Sequence, residues 1–198
     1  YYGMNNLGED NVEALRWCSM AASHGKAKAQ RIIGEMYRYG HAVEVDLSEA
    51  LKWFMLAALQ DEAAACREIG LMYRDGLGLG QDRSSAMMWL ERAAKLDDRL
   101  GQYHLAKECL GEDTVRGRLL ASKWCQLAAK GGLQLAQCLL GNMYHQGIGV
   151  ERNLVKAHVW HSLSANEDSE ESGAILEELE EVMTPLERDE AQRMLSEM

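Results

Sequence analysis

Small and apolar residues recur along this chain with a helical period nested in a longer one. The run Ala14-x-x-Trp17-x-x-x-Ala21-Ala22 returns around Trp53, Trp89, Trp124 and Trp160, each with an alanine three residues before it. The small pairs that follow are Ala57-Ala58, Ala93-Ala94, Ala128-Ala129 and Ser164-Ala165. Positions i, i+3, i+7 and i+8 share one helix face, so the pattern predicts helices over 11–23, 47–60, 83–96, 116–130 and 154–165. The tryptophans are 36, 36, 35 and 36 residues apart. A second pattern lies between them: Gly34-x-x-Tyr37-x-x-Gly40, Gly70-x-x-Tyr73-x-x-Gly76 and Gly141-x-x-Tyr144-x-x-Gly147. It predicts helices over 26–39, 62–75, 98–110 and 133–146, each ended by a glycine. Polar residues open the tryptophan helices: Asp10 with Glu13 and Asp46 with Glu49 have capping-box spacing, and Asp82 and Asn153 hold the matching place.

Each unit is therefore a hairpin of helix A and helix B. A single hairpin cannot bury its apolar face, whereas stacked copies bury a continuous core. The expected organisation is about five repeats, 1–25, 26–61, 62–97, 98–132 and 133–166, followed by capping helices over 167–198. Repeat-locked Trp17, Trp53, Trp89, Trp124, Trp160, Tyr37, Tyr73, Tyr144, Gly34, Gly70 and Gly141 are expected to form the core. The fourth unit departs: it is one residue short, Ala106 and Cys109 replace Gly and Tyr, and Gly111–Gly117 replaces the glycine turn. In the second unit Ala42 replaces the turn's second glycine. Tyr1 lies 36 residues before Tyr37, so the chain is read as starting inside a hairpin of a longer array.

The pattern resembles the Sel1-like repeat family, relatives of tetratricopeptide repeats, over residues 1 to about 166. The closest copy is Gly141-x-x-Tyr144-x-x-Gly147-x-Gly149-Val150 followed by Ala157 and Trp160. The resemblance implies an all-α fold, a right-handed α/α superhelix, in a bacterial adaptor or scaffold without catalytic activity. An immunity or inhibitor protein that sequesters a toxin or enzyme is the alternative. The rival class is an enzyme, a β-lactam-type hydrolase to which cysteine-rich relatives have been linked; no Ser-x-x-Lys pair is expected here.

Charge separates the two parts of the chain. Residues 167–198 hold 12 acidic and 2 basic residues, which leaves 19 of each sign in 1–166 and assigns the whole net charge of −10 to the C-terminal segment. A neutral body argues against nucleic acid, which favours a basic face, and no apolar run approaches a membrane span. Thr184-Pro185-x-Glu187 predicts a capped final helix. Five cysteines, Cys18, Cys66, Cys109, Cys125 and Cys138, form no CxxC pair and are read as reduced and mostly buried. The expected compartment is cytoplasmic, with periplasmic or secreted forms as alternatives because the natural start is read as lying upstream.

No catalytic, cofactor or metal site is expected. His145, His158 and His161 could hold zinc but are read as surface residues, and Glu177, Glu178, Glu180 and Glu181 as a solvated helix face. The tetratricopeptide resemblance makes helix A the wall of a concave groove. It places Arg31, Glu35, Arg38 and Tyr39, then Arg67, Leu71 and Arg74, then Tyr103, Lys107 and Leu110, then Cys138, Asn142 and His145 outward. Arg31 with Arg38, and Arg67 with Arg74, would stack as a ladder of guanidiniums suited to an acidic peptide or protein partner. The competing reading pairs these arginines with their own Glu35, Glu68 and Asp75.

Overall fold

Capping residues and left-handed turns divide the chain into eleven helices among the described residues, 5–165 and 170–197 of this computed structural model. They are α1 (Asn5–Ser23), α2 (Ala27–Tyr39), α3 (Leu47–Ala58), α4 (Ala63–Asp75), α5 (Arg83–Lys95), α6 (Arg99–Leu110), α7 (Val115–Lys130), α8 (Gln134–Gln146), α9 (Leu154–Ser164), α10 (Glu170–Val182) and α11 (Pro185–Ser196). No strand occurs among those residues. Asp46, Asp82 and Asn153 stand seven residues before Trp53, Trp89 and Trp160 in extended backbone. Each accepts backbone N–H bonds from the first turn of α3, α5 or α9. Gly40, Gly76 and Gly147 end α2, α4 and α8 in the left-handed region, each donating its N–H to the carbonyl of Met36, Met72 or Met143.

The links from helix B to helix A follow a rule the sequence reading missed. Eight residues after each of Trp17, Trp53, Trp89 and Trp124 the backbone turns left-handed, at Gly25, Asp61, Asp97 and Gly132. At three of these links a side chain also bonds the carbonyl near the end of helix B. Gln30 donates to Ala22, and Gln137 donates to the equivalent Ala129. Cys66 occupies the glutamine's place in α4, and there Arg92 reaches from α5 to the Ala58 carbonyl at 2.9 Å. These bonds give a second donor to helix-end carbonyls that already accept the N–H of Gly25, Asp61 or Gly132.

The core lies one residue beyond the expected one. Phe54, Leu90, Cys125 and His161, each following its tryptophan, are fully buried. A Cβ built on Gly34 would come within 2.6 Å of Phe54, on Gly70 within 2.8 Å of Leu90, and on Gly141 within 2.6 Å of His161. The glycines of the Gly-x-x-Tyr pattern are therefore seats for these side chains. The tryptophans are less buried than the pattern predicted: Trp17 is 61% exposed, Trp53, Trp89 and Trp124 are half-buried, and only Trp160, at 8%, is core. Their indoles lie on the helix flank, where Arg92 stacks over Trp89 with its guanidinium carbon 5.5 Å from the ring centroid. The alanines behave as predicted, Ala50, Ala57, Ala58, Ala86, Ala93, Ala121, Ala128 and Ala157 being sealed from solvent.

The chain divides into two compact units, Tyr1–Gly101 and Gln102–Met198. In the first, Phe54, Ile69, Met72, Ala65 and Cys66 centre a cluster shared by α3 and α4, with Ile33 and Ala29 of α2 packed on α1. In the second, Val155, Ala157 and Val159 of α9 pack against Leu179, Met183 and Ala191 of the two C-terminal helices. Thr184 and Glu187 form the predicted capping box at α11.

Two further expectations change. Asp10 is no cap: α1 runs unbroken from Asn5, and Glu13 instead accepts a 3.2 Å bond from the Trp17 indole. The half-hairpin expected at Tyr1 lies outside the described residues. The irregularity of the fourth repeat is not in α6, which ends within a residue or so of the other A helices, but in the turn, shortened to residues 111–114 with Asp113 left-handed, and in α7. Thr114 caps α7 ten residues before Trp124 instead of seven, so Val115, Arg116 and Gly117 add nearly one turn to its start.

Candidate functional site

The outward face of α2 and α4 holds four of the predicted site arginines, and each of them meets a carboxylate. Arg31 pairs with Glu35 one turn on, and with Glu62, the N-cap residue of α4, at 3.3 Å. Arg38 pairs with Glu68 of α4. The other oxygen of Glu68 accepts Arg67 at 3.0 Å, and Arg67 reaches both oxygens of Asp98 at 2.9 Å. Asp98 in turn accepts the Gly101 N–H at 2.7 Å. Arg74 forks onto Asp75 at 2.7 and 2.9 Å. Four guanidiniums thus face five carboxylates, and the stripe carries no net positive charge.

Such a relay fixes side chains more than it creates a cation site. Glu68 is buried, and Arg38 and Arg67 are nearly so. Removing one member would leave its partner charged and out of water. Exposed on this face are Tyr39, with the Arg38 guanidinium 5.2 Å from its ring centroid, and the partly exposed pair Arg74 and Asp75. The remaining predicted residues lie in the second unit: Tyr103 and Lys107 on α6, with the ammonium 5.7 Å from the phenol ring, and half-buried His145 on α8. The carboxylates that complete the relay were the unread signal. Glu62 and Asp98 lie 36 residues apart at the same place in successive repeats.

The histidines do not build a metal centre, since no cluster of three metal-ligating side chains exists among the described residues. They are not surface residues either. His161 is fully buried because it occupies the position after Trp160, over Gly141, and neither ring nitrogen has a hydrogen-bond partner. Burial, with smaller contributions from His145 and His158, holds its pKa down at about 4. His158 is buried beside it, with Ser162 at 3.4 Å and Glu180 at 3.6 Å. All five cysteines are free thiols. Cys125 donates to the Ala136 carbonyl, and burial pushes its pKa up to about 12, which leaves it unreactive near neutral pH. Glu177, Glu178, Glu180 and Glu181 are exposed on α10.

One Ser-x-x-Lys string does occur, Ser23-His24-Gly25-Lys26, against the expectation of none. It builds no nucleophile. Ser23 ends α1 with its hydroxyl donating to the Met20 carbonyl at 2.7 Å, and the left-handed Gly25 breaks the helix before the exposed Lys26.

A sequence profile of the Sel1 repeat matches residues 1–26, 27–62, 63–98, 99–133 and 134–169. The chain belongs to the Sel1 repeat family. Its fold is the helical-hairpin solenoid of that family, and proteins built of Sel1 repeats generally mediate protein–protein interaction. A Sel1 repeat protein from Oxalobacter formigenes is 34% identical with a TM-score of 0.77, over 85% of this chain and 49% of that one. The protective antigen c5321 of uropathogenic Escherichia coli, which displays an SLR fold, is 29% identical with a TM-score of 0.77, over 94% of this chain and 41% of that one. This Sel1 repeat chain therefore spans less than half the length of both. The immunity protein Pa5087 of Pseudomonas aeruginosa shares the fold at 21% identity, with a TM-score of 0.56 over 90% of this chain and 72% of that one. No curated protein sequence matches the chain. No helix among the described residues is long and apolar enough to cross a membrane.

Proposed function

We infer that this chain is a non-catalytic scaffold that binds a partner protein or peptide on the outward face of its A helices. The observation that carries the reading is a division of labour between positions. Inward positions of α2, α4 and α8 repeat because a side chain of the next helix seats on each glycine. Outward positions repeat only in part: Arg31 and Arg38 on α2 recur as Arg67 and Arg74 on α4, but Glu35 becomes Leu71, and α8 has Cys138, Asn142 and His145. Packing dictates the first set, and the outward positions that vary from repeat to repeat are available for recognition.

The carboxylates between the arginines alter the expected partner. A purely acidic peptide would meet five carboxylates on this face, so a partner with side chains of both signs, or one that stacks on Tyr39, fits it better. The immunity or inhibitor alternative has only a shared fold behind it, and fold does not carry function.

The test is a partner isolated on the wild-type chain and titrated against Tyr39→Ala combined with Arg74→Glu, two positions that the buried relay does not need. A loss of tenfold or more in affinity at an unchanged melting temperature is expected. Unchanged affinity would place recognition elsewhere.

A further inference from the structure

Helix α7 carries a face that the repeat architecture does not require. Its sixteen residues include four basic side chains and no acidic one, in a chain whose net charge is −10. Val115 is 74% exposed, Leu119 56% and Leu127 51%, with Leu120 beside them at 36%. Helical spacing sets Val115, Leu119, Lys123 and Leu127 in one row, each a turn from the next. Two shallow depressions adjoin along this row and meet at Lys123. Arg118 is paired with Asp113, whereas Arg116, Lys123 and Lys130 make no ion pair among the described residues.

Three other repeats supply the control. The positions equivalent to Leu119 and Leu120 are Ser48 and Glu49 in α3, Ser84 and Ser85 in α5, and Val155 and Lys156 in α9, where Val155 is buried in the cluster with Leu179, Met183 and Ala191. Ser48 and Ser84 are exposed there. A polar residue suffices at this place in α3 and α5, and the apolar residue of α9 is buried, whereas Leu119 and Leu120 stand in water at 56% and 36% exposure. The added turn with Val115 and Arg116 belongs to the same departure, since α3, α5 and α9 start at a capping residue three positions later in register.

We propose that the exposed face of α7 is a docking surface for an acidic amphipathic helix of a partner protein, bound by apolar contact along Val115, Leu119 and Leu127 and by carboxylates set over Arg116, Lys123 and Lys130. Charge complementarity selects this occupant: a row of leucines bordered by unpaired cations is matched by leucines bordered by carboxylates. From Val115 to Lys130 the ridge is about 22 Å long at 1.5 Å per residue, the length of a four-turn helix. An anionic bilayer is disfavoured, because the acidic segment 167–198 of the same chain would be repelled from it. This surface shares no residue with the face of α2 and α4, and neither reading depends on the other.

The probe is a labelled peptide with the sequence of residues 170–182, which sets Ile175, Leu176, Leu179 and Val182 among six glutamates. It is titrated by fluorescence anisotropy against the full chain at low and physiological salt. Two double variants are compared: Leu119→Ser with Leu120→Ser, which copies α5, and Lys123→Glu with Lys130→Glu. Saturable binding that weakens with salt and falls at least tenfold in both variants, at unchanged circular dichroism and melting temperature, is expected. The charge variant is fully informative if the serine variant fails to fold. Absence of binding at millimolar peptide, or binding unchanged in the charge variant, overturns the proposal. So does sedimentation showing that the chain self-associates through this face, because the occupant would then be a second copy. Binding to phosphatidylserine vesicles in place of the peptide overturns it as well.

Discussion

Replacing His161 by leucine should stabilise this protein and remove a specific part of its acid sensitivity. Leucine is what the third repeat uses at the equivalent Leu90, seated on Gly70 as His161 is seated on Gly141. Two effects are expected. Near pH 7.5 the neutral imidazole keeps one donor and one acceptor buried without partners. An unmade bond of this kind costs about 1–3 kcal/mol, part of which the substitution recovers. The second effect depends on pH. With a pKa of about 4 in the folded chain and ~6.5 when unfolded, the unfolded state binds the proton first as pH falls. The stability that the neutral ring permits is thus fully present above about pH 6.5 and is lost progressively toward pH 4. Between about pH 7.5 and pH 5 the linkage amounts to about 2 kcal/mol from this residue alone. Urea unfolding followed by circular dichroism at both pH values measures it. The wild-type protein should lose about 2 kcal/mol more than His161→Leu over that interval. Equal losses in the two proteins would refute a neutral, buried His161, and a wild type that gains stability on acidification would reverse the sign of the argument.

Two more predictions concern packing and the turn. Phe54→Ala should cost about 3–5 kcal/mol through the cavity it opens over Gly34, whereas Trp17→Ala, at an exposed indole, should cost less than about 1 kcal/mol; equal losses in urea melts would restore the tryptophan as core. Ala42→Gly should stabilise by about 1 kcal/mol, because Ala42 holds a φ of 62° where the third and fifth repeats have Gly78 and Gly149; an unchanged or lower urea midpoint would show that the alanine is not strained.

Most of the fold was legible because the repeat records the same physical problem several times. A capping residue is ambiguous alone, but Asp46, Asp82 and Asn153 at one offset from three tryptophans fix where helix B begins, and those starts match the structure. The error lay in equating the most visible residue with the most buried one. An indole is large enough to cover a helix flank with one edge in water. The residue after it varies as Phe54, Leu90, Cys125 and His161, so it leaves no motif, although the glycines opposite three of them, Gly34, Gly70 and Gly141, imply that something bulky sits there. His161 was misread for the same reason, since its burial follows from its place in the repeat and not from its residue type.

The candidate sites were legible to the degree that they break the period. Repetition in the arginines suggested a ladder, and the repeated carboxylates Glu62 and Asp98 answer it within the first unit. What recurs in every repeat tends to serve stacking, ion pairs included. The informative departures are those that packing does not compensate. Ala106 for glycine is matched in volume by the small Cys125 in the following helix, so that exchange needs no partner to explain it. Leu119 and Leu120 stand exposed where α3 and α5 have polar residues and where α9 buries Val155. Val115, added by moving the α7 cap to Thr114, exposes still more apolar surface to water. A stacked repeat gains nothing from placing three large aliphatic side chains beside unpaired Arg116 and Lys123, and the burial that would make them favourable has to come from outside the hairpin.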